Sequence, residues 1–351
     1  MRYKLLGASG LRVSELSLGT MTFGDDWGWG TPKKQSGEIF DAYVEAGGNF
    51  IDGANMYTNG TSEKYIGEFI QDRAAFVIAT KYTLNSYPGA PNSRAYDPNS
   101  GGNHRKSMIQ SLEGSLRRLG TDYVDLFWLH SWDSTTPIEE VMRALDDLVR
   151  SGKVLHLGIS NAPAWIVSEA NAIAKLRGWS PFVALQIQYS LVERAAERDL
   201  LPMARAHDIA ILPWGILGAG VLTGKYTDGA KQGRLSVDSW REGFLTERNL
   251  VIASEVQAIA DEIGCSPTQV ATNWVRQQPG VVIPIVGATK LDQLEESLAS
   301  LEFELDDAQI ARLDAASAIS LGYPHDFLAD PFSLELIHGA HAADIDNHHA
   351  P

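Results

Sequence analysis

The sequence predicts an α/β protein in which one large domain forms a (β/α)8 barrel of the TIM-barrel class, preceded by a β-hairpin. Short, continuous apolar runs alternate with amphipathic helical patterns, and such runs are typical of parallel strands buried on both faces. Eight of these strand units follow one another, and no shift in composition marks a second domain. A doubly wound open sheet is the competing arrangement, but eight consecutive units favour a closed barrel with right-handed crossovers.

The boundaries of these elements follow from local signals. The hairpin is expected within residues 3–13, where two apolar segments flank the turn sequence Gly7-Ala8-Ser9-Gly10. The eight strands are expected to end near Leu18, Ile51, Thr80, Leu129, Ile159, Ile187, Leu212 and Ile285. Two helix starts, Thr136-Pro137-Ile138-Glu139 and Ser266-Pro267-Thr268-Gln269, each offer an N-cap, a first-turn proline and a capping-box residue.

The domain organisation is simple. We expect one barrel domain over residues 1–318, including the hairpin, and a C-terminal tail, mobile in part, over residues 319–351. Long loops at residues 82–103 and 225–247 follow strands, so they and the tail are expected to wall the C-terminal mouth of the barrel.

The composition bounds the partners and the compartment. With 29 basic and 44 acidic side chains, the formal net charge of −15 disfavours binding to nucleic acid or to an anionic membrane. A single cysteine, Cys265, excludes an intrachain disulfide and suits a reducing compartment. The sequence shows neither a signal-peptide pattern nor a run of about 20 apolar residues. We therefore expect a cytoplasmic protein, and the sequence leaves its oligomeric state open.

Four polar residues stand at or just beyond the ends of three consecutive predicted strands. Asp52 ends one strand and Tyr57 lies in the loop beyond it, Lys81 ends the next strand, and His130 ends the strand after that. Strand ends of a parallel barrel meet at one mouth, so these side chains are expected to converge. Each residue alone has an ordinary structural explanation, such as an ion pair or packing. All four together are harder to explain without a shared function.

These residue types suit the reduction of a carbonyl by hydride. The reaction needs a proton donor for the developing alkoxide, and a tyrosine hydroxyl serves if a nearby cation lowers its pKa. Lys81 is the candidate cation, and Asp52 is its candidate ion-pair partner. Neutral His130 would hydrogen-bond and orient the substrate oxygen.

With these motifs the sequence resembles the aldo-keto reductases, from about Tyr3 to Ala316. The matching segments are LSLGTMTFG at 16–24, DGANMY at 52–57, GTSE at 60–63, ATK at 79–81, DYVD at 122–125 leading to His130, GKV at 152–154 and GISN at 158–161. The catalytic tetrad of that family falls on Asp52, Tyr57, Lys81 and His130. The resemblance implies that Tyr57 rather than His130 is the acid, and that the cofactor is a nicotinamide dinucleotide.

The resemblance also implies a set of cofactor contacts. These are Gly19, Thr20, Met21, Asp52, Ser160, Asn161, Gln186, Trp214, Gly215, Leu217, Gly218, Gly220, Lys225, Arg234, Gly287, Thr289, Lys290, Gln293, Glu296 and Ser297. Ser160, Asn161 and Gln186 would bind the nicotinamide carboxamide, which needs both donors and acceptors. Trp214 would stack on the ring, and the small residues after it would let the backbone approach the pyrophosphate.

The segment Gly218-Ala219-Gly220 lacks the third glycine and the downstream acid of a dinucleotide fingerprint, so it gives no support to an open Rossmann sheet. Around Trp214 and at the adenosine end, the sequence departs from the family in Gly215-Ile216, where a Ser-Pro pair is common, and in Ser297, where asparagine is frequent. Gly53 likewise stands where threonine is usual. These departures concern cofactor contacts rather than the proton donor.

The adenosine end of the cofactor is expected after the final strand, where the chain opens a helix and a phosphate site is natural. The resemblance places Lys290 on the adenosine 2′-phosphate and Gln293 and Glu296 on the adenine. A cation at a helix start opposes the helix dipole, and a bound 2′-phosphate would account for it. This favours NADPH, with NADH as the alternative, although an ordinary solvated lysine would also fit.

The substrate is predicted only coarsely. Trp27, Trp29, Tyr87 and Trp132 lie on loops near the mouth, and Trp27 and Trp132 are the substrate-binding candidates. An aromatic wall would suit sugars or aromatic carbonyls. The histidines of the tail, His338, His341, His348 and His349, lie in a segment rich in Gly, Ala and Asp, and we expect no metal there.

Two alternative functions stay open beside an NADPH-dependent aldehyde or ketone reductase that also runs in reverse. One is a nicotinamide-binding regulatory subunit resembling the β subunits of potassium channels, which an intact tetrad does not exclude. The other is a barrel of different chemistry with Lys81 as a Schiff base. Asp52 would keep that lysine charged and make it a poor nucleophile.

Overall fold

Eight parallel strands form the centre of the molecule, and an antiparallel hairpin precedes them. The computed structural model describes residues 1–85, 97–225 and 242–346. The hairpin pairs β1 (Tyr3–Leu5) with β2 (Arg12–Ser14). The parallel strands are β3 (Ser17–Gly19), β4 (Phe50–Asp52), β5 (Val77–Tyr82), β6 (Val124–Leu129), β7 (Val154–Ser160), β8 (Phe182–Gln188), β9 (Ala210–Trp214) and β10 (Ile285–Val286).

These strands close into a barrel. Their order in the sheet runs from β10 through β3 and then in sequence to β9. The last gap is bridged by the chain just before β10: the amide of Ile211 donates to the carbonyl of Val281 at 2.7 Å, and the amide of Ile283 donates to that of Ile211 at 2.8 Å. The predicted (β/α)8 barrel and its N-terminal hairpin are confirmed, and the open sheet is not observed.

Helices between the strands cover the outside of the barrel. They are α1 (Lys33–Glu45), α2 (Thr61–Phe69), α3 (Arg105–Leu119), α4 (Ile138–Arg150), α5 (Ala164–Arg177), α6 (Leu200–Ala206), α7 (Glu247–Ile263), α8 (Pro267–Arg276), α9 (Leu291–Leu298), α10 (Asp307–Ser317), α11 (His325–Ala329) and α12 (Pro331–His338). In the described part of the chain, no helix is both long and apolar enough to cross a membrane.

The barrel interior is packed rather than hollow. Phe50, Leu126 and Trp128 are fully buried there, together with Leu6 from the hairpin. A Cβ atom on Gly158 would lie 2.3 Å from the ring of Trp128, so only glycine fits beside that indole. The lower barrel is thereby filled, which leaves the C-terminal ends of the strands to form a site.

The two predicted helix starts have different outcomes. Ser266 accepts from the amide of Gln269, and the Gln269 side chain accepts from the amide of Ser266, so this capping box is confirmed. The box predicted at Thr136 is wrong. The Thr136 hydroxyl donates to Asp133 Oδ2 at 2.8 Å, and α4 begins at Ile138 without a side-chain cap. Because the Thr136 hydroxyl is bonded to the carboxylate of Asp133, it does not cap α4.

The predicted tail contributes helices α11 and α12 in its described part. His341 Nδ1 lies 3.1 Å from Asp344 Oδ2, whereas His348 and His349 fall outside the described residues. The division of the chain at residue 318 stays a prediction.

Candidate active site

A buried ion pair lies at the C-terminal mouth of the barrel. Asp52 is the last residue of β4, and Lys81 is the second-last residue of the neighbouring β5. Lys81 Nζ donates to Asp52 Oδ2 at 2.6 Å and to the carbonyl of Gly53 at 2.8 Å. The Lys81 side chain is fully buried and that of Asp52 is 3% exposed, so solvent does not screen this pair.

Tyr57 and His130 stand beside this pair. Tyr57 begins a short 3-10 turn just after β4, and the Lys81 ammonium lies 4.9 Å from the centre of the Tyr57 ring. His130 follows β6 directly, and its ring is 6.0 Å from that of Tyr57 in an edge-to-face arrangement. The structure therefore brings together the four residues that the sequence predicted to converge.

Burial and charge set the protonation of Lys81 and Tyr57. Burial favours the neutral amine, but Asp52 and Tyr57 outweigh it and raise the pKa of Lys81, so this side chain is an ammonium ion. Burial raises the pKa of Tyr57 above its ordinary value, while Lys81 acts to lower it. The lowering expected from the nearby cation is thus present but outweighed by desolvation. The Tyr57 hydroxyl is protonated at neutral pH.

His130 is neutral. Burial, and secondarily the charge of Lys81, lower the pKa of His130 to about 3. Its Nδ1 atom is buried without a hydrogen-bond partner among the described residues. A buried polar atom normally has a partner, so this ring is placed to meet a group that enters the site.

Three further polar residues connect the tetrad to the next strands. Gln186, on β8, donates to Asp52 Oδ1 at 3.1 Å. Asn161, just after β7, donates to the carbonyl of His130 and to the hydroxyl of Ser160, both at 2.9 Å. Both amides are engaged through their NH2 groups, which orients their carbonyl oxygens as fixed acceptors.

A cavity of about 1100 Å³ opens in front of these groups. The predicted site residues that line it are Gly19, Met21, Asp52, Tyr57, His130, Asn161, Gln186, Trp214, Gly215, Leu217, Gly220, Lys225, Gly287, Thr289, Gln293, Glu296 and Ser297. Thr20, Lys81, Ser160 and Gly218 are buried behind this lining. Lys290 is exposed at the N-cap position of α9, and Arg234 lies outside the described residues.

The cavity wall fits an elongated polar cofactor. Gly215 and Gly220 line it with φ values of 69° and 96°, a conformation that favours glycine and leaves no side chain over the backbone. Beyond them, Gln293 Oε1 accepts from the amide and the hydroxyl of Thr289, which fixes the loop that opens α9. The wall thus has one polar end at the tetrad and a second polar end near α9.

The aromatic wall differs from the sequence prediction. Trp29, rather than Trp27, lines the cavity, and so does Phe244 from the 3-10 turn just before α7. The rings of Trp27 and Trp29 are 5.4 Å apart, and Trp27 Nε1 donates to Asn59 Oδ1 at 3.2 Å. Trp27 therefore supports the ring that faces the cavity.

Trp132 packs against the core outside the barrel, and its amide donates to the carbonyl of Asn161 at 3.3 Å. Tyr87 lies outside the described residues. The sequence prediction passed over Gln188, Phe244 and Thr268, which also line the cavity. Of these residues, Phe244 could have been predicted from the sequence, because it is a bulky aromatic residue within a loop that was expected to wall the mouth.

Comparison with known proteins agrees with this geometry. A model of the aldo/keto reductase family matches residues 15–318. The chain belongs to the aldo-keto reductase family. It is 37% identical to norsolorinic acid reductase of Aspergillus flavus, over 92% of this chain and 83% of that protein.

Two aryl-alcohol dehydrogenases are similarly related. The chain is 38% identical to aryl-alcohol dehydrogenase [NADP(+)] of Phanerodontia chrysosporium, over 96% of this chain and 91% of that protein. It is 37% identical to an aryl-alcohol dehydrogenase of Pestalotiopsis microspora, over 93% and 85%. This aldo-keto reductase is therefore an oxidoreductase that uses a nicotinamide cofactor and acts on carbonyl groups or the corresponding alcohols.

The buried pair yields a prediction about stability. Asp52→Asn should lower the free energy of unfolding by about 3–5 kcal/mol, because it leaves the Lys81 ammonium buried without a counter-ion. Replacing both residues, as Asp52→Leu with Lys81→Met, should recover part of that loss. Chemical denaturation followed by circular dichroism measures both changes.

A matched control is Asp147→Asn, since Asp147 pairs with Arg105 at 2.7 Å but both side chains are partly exposed. That change should cost about 1 kcal/mol or less. Equal losses for Asp52→Asn and Asp147→Asn would contradict the strong coupling that we infer for the buried pair.

Proposed function

We propose that this chain is an NADPH-dependent reductase of aldehydes and ketones, reversible toward alcohol oxidation, in which Tyr57 donates the proton. One observation carries the proposal. A protonated tyrosine stands between a buried ammonium and a neutral imidazole, at the wall of a cavity large enough for a dinucleotide and a substrate. A carbonyl oxygen placed there meets a proton donor and a positive charge together.

The polar wall at the tetrad suits the nicotinamide carboxamide. The oriented carbonyl oxygens of Asn161 and Gln186 would accept from its NH2 group, and Trp214 would cover the ring. When bound, the nicotinamide supplies the hydride. Asp52 holds Gln186 and Lys81 together, so the same carboxylate aligns the cofactor pocket with the proton donor.

The chain's own residues would manage the proton. Tyr57 gives its proton to the substrate oxygen as charge develops there, and the Lys81 ammonium stabilises the phenolate that remains. His130, being neutral, hydrogen-bonds the same oxygen without competing for the proton of Tyr57. In the direction of alcohol oxidation, the phenolate of Tyr57 would take the proton back.

The choice of NADPH rests on charge at the far end of the cavity. Lys290 occupies the N-cap position of α9, where the helix dipole disfavours a cation, and Lys225 lines the same cavity. On a chain of net charge −15, an exposed lysine at this helix start calls for a negatively charged partner. A 2′-phosphate would supply the negative charge that such a site binds.

The aromatic wall favours a flat, aromatic carbonyl substrate. Trp29 faces the cavity with Trp27 behind it, and Phe244 lines another part of the same cavity. Aromatic rings stack and meet edge to face with useful energy beyond simple burial. Two of the related proteins are named for aryl alcohols, which is consistent with this assignment.

Tyr57→Phe tests the proton donor. The variant should lose at least about 100-fold in kcat on a model aromatic aldehyde, because general acid catalysis contributes about that much or more. NADPH binding, measured by protein fluorescence, should stay within about twofold, since the hydroxyl is lost without loss of the ring. Tyr65→Phe is the matched control, because Tyr65 lies on α2 and packs against Phe69 away from the cavity.

Turnover of Tyr57→Phe within severalfold of the parent protein would rule out Tyr57 as the donor. A parent protein that binds NADPH but reduces no member of a broad carbonyl panel would instead support the regulatory-subunit alternative.

Lys290→Ala tests the cofactor preference. The dissociation constant for NADPH should rise roughly 10- to 100-fold, as expected for a lost hydrogen bond to a charged group, while that for NADH should not change. Lys34→Ala is the control, because the Lys34 side chain is 92% exposed and lies on α1. Equal weakening of NADPH and NADH would show that Lys290 does not recognise the 2′-phosphate.

Asn59 variants test the aromatic wall. Asn59 has a φ of 55°, so Asn59→Gly keeps the turn while removing the acceptor that holds Trp27. We expect KM for an aromatic aldehyde to rise about fivefold, in line with the loss of one hydrogen bond, with KM for a small aliphatic aldehyde unchanged. Asn59→Asp retains an acceptor oxygen and should restore the parent KM. A parallel rise for both substrates, or no rescue by aspartate, would refute selection by this wall.

A further inference from the structure

The C-terminal helices present an apolar surface that no part of the described chain covers. Its members are at least half exposed: Tyr323, Phe327, Leu328, Phe332, Leu336 and Ile337, at 86%, 57%, 50%, 67%, 69% and 58%. We refer to these six residues as the tail surface. Within α12, only Ser333 is buried. Scattered exposed apolar residues are ordinary, but six within fifteen positions form a patch.

The size of the tail surface matches one side of a stable interface. Its three aromatic residues alone leave roughly 400 Å² uncovered, taking about 150–250 Å² for each aromatic side chain. The three aliphatic residues add a few hundred Å² of exposed apolar area to that. The largest patch of a typical monomer is about 300–600 Å², whereas one partner of a standard interface buries about 800 Å².

The helices also lack the packing that short helices need. α11 has five residues and α12 has eight, and isolated helices below about 12 residues are marginal in water. Among the described elements, α12 packs chiefly against α11 and the 3-10 turn that follows. A partner over the tail surface would supply the missing burial.

The base of the tail is nevertheless fixed to the barrel. Arg248 donates to the carbonyl of Ser317 at 2.7 Å, and Arg198 donates to that of Ser320 at 3.0 Å. His325 Nε2 lies 3.7 Å from Asp199, just before α6. The surface therefore has a defined position on the protein, as an interface requires.

The charge of the tail restricts which partner could cover the tail surface. Residues 319–351 contain no lysine or arginine, and Asp326, Asp330 and Glu335 lie among the apolar residues. An anionic lipid surface or a nucleic acid would be repelled. The partner that this chain always meets is another copy of itself, and an apolar patch of this size can pair with its own copy about a twofold axis.

We propose that the tail surface is the self-association face of this protein, and that two copies bury it against each other. Each copy carries a net charge of −15, so mutual repulsion opposes the association and salt relieves that repulsion. The dimer should therefore strengthen as salt increases. A basic heterologous partner would show the opposite dependence.

Sedimentation velocity of the full chain at micromolar concentration tests the proposal. The parent protein should sediment at twice the 38.3 kDa chain mass. Phe332→Glu with Leu336→Glu should sediment as a monomer under the same conditions, with NADPH binding retained. The matched control is Trp165→Glu with Leu176→Glu, two apolar residues of α5 that are 64% and 84% exposed, and it should stay dimeric. A monomeric parent, or a dimeric tail variant, would overturn the proposal.

Hydrogen exchange of the parent protein gives a readout that needs no variant. Backbone amides at residues 325–338 should exchange more slowly at high than at low protein concentration, because association buries α11 and α12. Exchange at these residues that does not depend on concentration would overturn the proposal even if the tail variant failed to fold.

Discussion

The buried contact between Lys81 and Asp52 is the interaction on which the site depends. Two full charges have been removed from water, and their mutual attraction compensates because the contact is short and the ammonium also donates to the carbonyl of Gly53. The carboxylate also binds Gln186, while the ammonium lies beside the Tyr57 ring. A single ion pair thus links the Gln186 wall of the cavity, the Tyr57 side chain and two barrel strands, and disturbing either charge should disturb all three.

Barrel closure is what makes such a pair attainable. Asp52 and Lys81 are 29 positions apart in sequence, yet they end adjacent parallel strands whose register fixes their separation. The packed interior below them, with Trp128 against Gly158, leaves little room for the strands to shift. The rigid lower barrel therefore supports a charged upper site.

Sequence reasoning succeeded where periodicity or residue type determined the outcome. The strand ends and the convergence of Asp52, Tyr57, Lys81 and His130 followed from parallel-barrel geometry alone. It failed where two nearby groups compete for one partner. Thr136 has the spacing of an ordinary cap, but Asp133 accepts its hydroxyl. The sequence also does not show which of two neighbouring tryptophans lines the cavity: Trp29 does, while Trp27 donates to Asn59, and the substrate role of Trp27 stays a prediction. The direction of the pKa shift of Tyr57 could not be predicted, because the sequence does not show how deeply this side chain is buried.

The same electrostatics separates the reductase from a Schiff-base enzyme built on Lys81. A nucleophilic lysine must lose its proton, and the pKa of Lys81 is raised because Asp52 and Tyr57 outweigh burial. The ammonium is fully buried behind the cavity lining, so a substrate carbonyl would reach Tyr57 and His130 first. Those two groups offer a proton and a hydrogen bond rather than an attacking amine. The geometry therefore favours the proposed role of Lys81 as a fixed charge over a role as a nucleophile.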